Sequence, residues 1–245
     1  MGARKLLVML QPFMDMHGLC IGRDMFFELL RVNGLLIRRR RQQRPRTTFS
    51  LHRFRKYPDL AKGLTITRKE QLWVSDITYI NLTKGFAYLS LVTDVYSHKI
   101  VGYYLSNDLG TEGCIAALTA AIRSRVTDQP LLHHSDRGSQ YCADAYVKLL
   151  GSNSINISMT QTGDPRDNAI AERVNGILKQ ELLRNIYPGI RQARQEVSTA
   201  IDIYNRIRPH SSIDMMTPEK AHSHTGYIPR RWKTAAKTAQ RKEVS

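Results

Sequence analysis

The chain has 245 residues, 42% of them hydrophobic, which is enough to bury a core and too apolar for wholesale disorder. Its 37 Lys and Arg against 21 Asp and Glu leave a net charge of +16. Such an excess points to a polyanionic partner, because each neutralised phosphate releases a condensed counterion. Three cysteines (Cys20, Cys114 and Cys142) with no CxxC pair exclude a disulfide framework and suit a reducing cytoplasm. Nucleic acid is the leading partner and an anionic membrane surface the lesser one, and no stretch approaches the ~20 apolar residues of a membrane span. A ribosomal or nucleoid protein would share this composition with an enzyme.

The run Leu6 to Leu10 follows Arg4 and Lys5 but is too short for a signal peptide. His17 and Cys20 have the spacing of half a zinc site with no second half nearby, and they read as ordinary loop residues. Residues 21–34 predict a helix with Met25, Phe26, Leu29 and Leu30 on one face and Gly34 as its C-terminal cap. Residues 38–56 then carry nine Lys or Arg and no acid. This run, led by Arg38, Arg39, Arg40 and Arg41, is expected to contact phosphates, a solvated linker being the alternative. Pro58 and Gly63 punctuate an extended connection.

From residue 71 the pattern changes. QLWVSDITYI (71–80) alternates with period two and puts Leu72, Val74, Asp76, Thr78 and Ile80 on one face of a strand. FAYLSLVTDV and HKIVGYYL (98–105) add two strands through short connections, an antiparallel meander. A helix over 111–126 follows, its buried stripe being Ile115, Leu118, Ile122 and Val126. A strand over 130–136, a helix over 139–151 and the strand INISM make a parallel crossover. Helices over 167–184 and 190–208 complete a mixed five-stranded α/β sheet flanked by helices, and the second stops at Pro209. The expected domains are a basic helical segment at 1–45, a linker at 46–69, a catalytic core at 70–226 and a basic tail at 227–245.

Three acids draw notice together. Asp76 sits mid-strand among apolar residues, and Asp136 ends a strand just before Arg137 and Gly138. Glu172 shares a helix side with Asn168, Asn175 and Lys179, distinct from the apolar stripe of Ile170, Val174, Ile177 and Leu178. Each acid alone has an ordinary explanation as a paired, turn or solvated carboxylate. Brought together, like charges raise one another's pKa unless cations neutralise them. Hard oxygen donors select Mg²⁺ or Mn²⁺, and a pair of such ions serves displacement at phosphorus.

WVSDITYI, HHSDRGSQY and DNAIAERVNGILKQEL resemble the three signature blocks of the DDE integrase core. The 35 residues between Asp136 and Glu172 match the spacing of retroviral integrases and of insertion-sequence family three. Lys179 matches that family's basic position, and YNRIRPHSSIDMMTPEKA its carboxyl-side block. The resemblance runs from about residue 20 to 225 and implies a ribonuclease H-like fold and a bacterial transposase of the nucleoid. It implies metal-dependent DNA cleavage and strand transfer with two ions, Asp76 touching both, Asp136 one and Glu172 the other. Lys179 would touch DNA, the element's terminal repeats and its target being the substrates of a homo-oligomer. The longer amino-terminal helices usual in the family read as missing or degenerate before residue 20. The chain therefore resembles a downstream-frame product whose partner would be the upstream helix-turn-helix product. A viral integrase would carry an HHCC zinc module, which is not found. A catalytically silent DNA-binding regulator of the same fold is the alternative.

Overall fold

In the computed structural model, residues 2–36, 52–161 and 168–229 are described. Arg38 to Arg41, Asp164 and Asp167, and the tail from residue 230 lie outside them. Five strands form one sheet in the order β3-β2-β1-β4-β5: β1 Leu72–Asn81, β2 Phe86–Asp94, β3 Ile100–Ser106, β4 Leu131–Ser135 and β5 Ile155–Met159. β1, β2 and β3 pair antiparallel, whereas β4 joins β1 and β5 in parallel. The meander and the helix-linked crossover thus stand as their short and long connections require.

Both faces of the sheet are covered, so neither is solvated. α3 (Thr111–Arg123), α4 (Ser139–Cys142) and α5 (Asp144–Ser152) pack on the Trp73 side, around Leu118, Leu131, Tyr146 and Leu150. α6 (Ala169–Ile177) and α7 (Ile190–Asp202) cover the other face, where Val174, Val197 and Tyr204 meet Ile80, Leu89 and Leu91.

Several expected helices differ in detail. The buried stripe of α3 is Cys114, Ala117, Leu118 and Ala121, while Ile115 and Ile122 are only half-buried and Val126 is exposed beyond the helix end. The reason is a close helix–strand approach at Gly102 of β3. A Cβ there would lie 2.2 Å from the Ala117 carbonyl oxygen, so only small residues fit the contact line. The helix expected at 139–151 breaks into α4 and α5 at Ala143, whose ψ of 139° is extended. The helix expected at 167–184 is α6 continued by a π-helical stretch, Leu178–Leu182, and the helix expected to Arg208 is α7 continued by another, Ile203–Ile207.

These two wide turns end at one ion pair. Arg208, almost fully buried, donates from Nε and Nη2 to the two carboxylate oxygens of Glu181 at 3.0 and 2.9 Å. Burial works against the Glu181 charge, but the Arg208 hydrogen bonds and charge prevail and hold its pKa below the ordinary value. α8 (Pro218–Ser223) is tied in by His222, whose Nδ1 lies 3.0 Å from the Ser97 hydroxyl. His222 stands between the buried carboxylates of Glu70 and Asp94, at 3.8 and 3.7 Å.

The amino-terminal segment corrects the expectation of missing helices. α1 (Ala3–Met16) spans the short apolar run and contacts α2 (Arg23–Val32). Leu, Met, Lys and Arg dominate α1 and favour helix enough to tolerate Pro12. Met14, Phe26 and Leu30 are buried, but Met25 and Leu29 are exposed, so only half of the expected α2 face is covered. Gly34 follows the helix at φ 65°, as a left-handed cap requires.

Gly102→Ala should cost about 1–3 kcal/mol of stability or more, because backbone rather than a side chain must yield. Denaturant unfolding checks this, with Gly113→Ala, whose nearest neighbour is the Ser106 Cβ at 3.3 Å, expected to cost less.

Candidate active site

The sheet splits where the acids gather. β4 pairs with β1 only over Leu72–Val74 and Leu132–His134, and beyond that β1 runs on without it. Asp76 and Asp136 each stand two residues past the last pair, Val74 with His134. Parallel strands keep paired side chains on one face, so the two carboxylates end up side by side at the mouth of the split. Gly138 donates its backbone N–H to Asp136 Oδ1 at 2.9 Å, and a Cβ on Gly138 would sit 3.0 Å from that oxygen. The small residue leaves that carboxylate room.

α6 supplies the third acid. Ala171 packs on Leu72 and Val74, fixing the helix over the start of β1. Asn168 donates to the Ser75 carbonyl at 3.0 Å, and Asn175 donates to Asp76 Oδ2 at 2.6 Å. Glu172 lies between these two asparagines along the helix and is exposed to solvent. Its charge nevertheless reaches Asp76.

Asp76 is half-buried, on the cleft floor. Desolvation raises its pKa from 3.8 to about 7, with the Asp136 charge adding to the shift. The Ile77 backbone N–H and the Asn175 amide oppose the shift, and Glu172 adds a last increment upward. The carboxylates of Asp76, Asp136 and Glu172 are hard donors, and the side-chain oxygens of Asn168 and Asn175 are buried with no hydrogen-bond partner among the described residues. This donor set fits a divalent cation of the Mg²⁺ type. As they stand, no three His, Cys, Asp or Glu side chains among the described residues enclose an ion.

Lys179 falls in the π-helical stretch, and its ammonium sits 3.7 Å over the ring of Tyr79. Burial lowers its pKa from 10.5 to about 8, against the pull of the Asp76 charge. Behind Asp76, the Ser75 hydroxyl lies 2.7 Å from His133 Nε2, which the Tyr146 hydroxyl also approaches at 2.9 Å. Burial drives His133 down to about 3, with the neighbouring His134 adding to the effect, so this prop is neutral. The sequence put Asn175 on the Glu172 side of the helix but gave it no role. Its three-residue spacing from Glu172 was the available signal. Nothing local signalled Tyr79 or His133, whose partners lie far along the chain.

A mixed sheet in this order, with acids at its split and a third on a crossing helix, is the arrangement of a ribonuclease H-like core. Two descriptions of an integrase core domain match the chain, at residues 66–165 and 153–218. The uncharacterized 31 kDa protein of insertion element IS600 from Shigella sonnei is 35% identical over 87% of this chain and 80% of its own length. The transposase for insertion sequence element IS629 from Shigella sonnei is 32% identical over 74% of this chain, which spans only 61% of that relative. Among solved structures, the HTLV-2 integrase catalytic core in complex with magnesium (trimeric form) superposes with a TM-score of 0.51 at 18% identity. That likeness covers 63% of this chain and 97% of the other, and it concerns the fold. The chain belongs to the integrase-core family of insertion-sequence transposases, the DDE-type polynucleotidyl transferases. No helix among the described residues is long and apolar enough to cross a membrane.

The raised pKa of Asp76 has a thermodynamic sign. The folded state binds this proton more tightly than the unfolded chain does, so the stabilisation is full below pH 3.8 and is lost as pH rises through about 7. Asp76→Asn should therefore raise the melting temperature at about pH 8 in chelator, by roughly 3–8 °C. It should also flatten the fall in stability between the two pKa values. Calorimetric scans across pH check both.

Proposed function

We propose that this chain cleaves DNA strands at the ends of an insertion sequence and joins them to target DNA, with Asp76, Asp136 and Glu172 as the catalytic acids. The observation that carries the reading is the half-buried Asp76 carboxylate, held against Asp136 and Glu172 at the split of the sheet with few donors to quiet it. Such a cluster costs free energy unless cations occupy it. Asp76, Asp136 and Glu172 would together hold two Mg²⁺ or Mn²⁺ ions. Divalent ions bound there would activate a water or a 3′-hydroxyl and stabilise the leaving oxygen at phosphorus. Glu172, exposed and free to choose rotamers, would close the donor set.

The chain's own residues do the rest. Asn175 keeps the Asp76 carboxylate turned toward the cleft, and Asn168 fixes the start of α6 to β1. Lys179 would neutralise a DNA phosphate beside the acids, and Arg38, Arg39, Arg40 and Arg41 would add sequence-independent phosphate contacts. Segment 1–45 would be a helix-turn-helix-like arm, 46–69 a linker, 70–226 the catalytic core and 227–245 a basic tail. Terminal repeats and target DNA are the proposed substrates. A homo-oligomer on DNA, joined by the upstream-frame helix-turn-helix product, is the proposed assembly in the bacterial nucleoid. A silent regulator would have no reason to keep three carboxylates mutually repelling, which favours the enzyme.

Asp76→Asn, Asp136→Asn and Glu172→Gln should each abolish strand transfer, by roughly a thousandfold or more, while DNA binding and fold persist. Chelation of divalent ions should do the same to the wild type. Labelled element-end DNA incubated with Mn²⁺ and each variant checks this. Full activity of Glu172→Gln, or of wild type in excess chelator, would overturn the assignment.

A further inference from the structure

At the open end of the cleft three side chains form a line of contacts that the acids themselves do not require. Phe86 opens β2 opposite Asn81 and is 48% exposed. Its ring meets Tyr79 edge to face, with centroids 5.6 Å apart and planes at 79°. The Tyr79 ring in turn lies beneath the Lys179 ammonium. Among the described residues no carboxylate stands within ion-pair distance of Lys179, so the aromatic ring is what the cation rests on. Tyr79 stands three residues beyond Asp76 on β1 and so on the strand's other face, yet the Lys179 ammonium over its ring lies near enough to feel the Asp76 charge.

The choice of partner matters chemically. A carboxylate under Lys179 would hold it equally well, but would cancel its charge and repel an incoming phosphate. The quadrupole of an aromatic ring attracts the ammonium and leaves the full positive charge to act outward. A lysine stem is otherwise flexible and must be ordered at each encounter. The π-helical turn that carries Lys179 widens the helix where this reach begins.

We propose that Tyr79 is a positioning residue whose ring, braced by Phe86, holds the Lys179 ammonium ready beside the acids, so that a DNA phosphate meets an ordered cation. This rests on the reading of Lys179 as a DNA contact. It adds the residue that aims it. The contact with the ammonium is made by the ring.

The test measures binding of a duplex carrying the element's own terminal repeat over a range of salt. Tyr79→Leu should weaken binding roughly 2- to 30-fold and reduce the log–log salt slope by about 0.9, whereas Tyr79→Phe should match wild type. Lys179→Ala should show the same loss, and the double variant Tyr79→Leu, Lys179→Ala no more than either. Additive losses in the double variant, or a Tyr79→Leu protein with unchanged slope, would overturn the proposal. A second readout needs no DNA: the ε-CH₂ protons of Lys179 should be shifted upfield by the ring current, normally in Tyr79→Phe and not in Tyr79→Leu. If Lys179→Ala binds DNA normally, the DNA-contact reading fails, and the aiming proposal fails with it even if the ring-current shift is present. If Tyr79→Leu does not fold, Phe86→Leu, at an exposed position, should give both effects at smaller amplitude. No change in either readout there sinks the bracing role.

Discussion

Like charges held close in a partly desolvated place repel strongly, and this repulsion is the constraint around which the protein is built. Asp76 and Asp136 stand abreast because β1 and β4 run parallel and part company after Val74 and His134. The split itself is what leaves the two carboxylates open, since strands paired to their ends would have closed it with backbone. Only rigid surroundings keep the two carboxylates from turning away. β1 is fully paired to β2 along this stretch, with Asp76 opposite Leu91. Tyr146 and Ser75, both on the uncharged His133, lock the layer behind it.

The helix that brings Glu172 is fastened twice, by Asn168 to the Ser75 backbone and by Asn175 to Asp76 itself. Its far end is fastened by the Glu181–Arg208 pair, which joins it to α7. A bidentate pair this well hydrogen-bonded recovers its desolvation cost through geometry. Losing one partner would leave a buried charge with nothing to answer it. The acids thus sit on elements held at both ends, while Glu172 alone keeps its side chain in solvent. The site combines a fixed floor with one adjustable wall.

Much of this was legible in the sequence, because the informative signals are short-ranged. Period-two alternation gave β1 and put Asp76 on the same side as Val74. Asp136 closed an apolar run, and the polar side of α6 was readable at Asn168, Glu172 and Asn175. What was not legible depends on distant partners or on small geometric choices. The α3 stripe shifted because Gly102, nearly ten residues earlier, admits only small residues against it. The break at Ala143 has neither proline nor glycine to mark it, and the π-helical turns carry no composition signal at all. α1 was not legible because its apolar run from Leu6 to Leu10 is short and Pro12 interrupts the pattern after nine helical residues. Tyr79 and Lys179 are a hundred residues apart, so nothing local could link them.

The wide turn at Leu178–Leu182 has a consequence for how this chain can vary. Its hydrogen bond from Leu183 N–H to the Leu178 carbonyl spans five residues where an α-helix spans four. The turn therefore holds what amounts to one surplus residue. Deleting a single residue there would restore ordinary helical winding and swing everything after it by about 100° relative to Glu172. Glu181 would leave Arg208, and the lysine would face a different side of the helix. The distance from the third acid to the ion pair is thus a fixed count, and the connection at 183–189 is pinned in turn, Tyr187 bridging Leu82 and lying buried in the core. Among related chains, gaps in alignment should avoid the ten residues between Glu172 and Leu183.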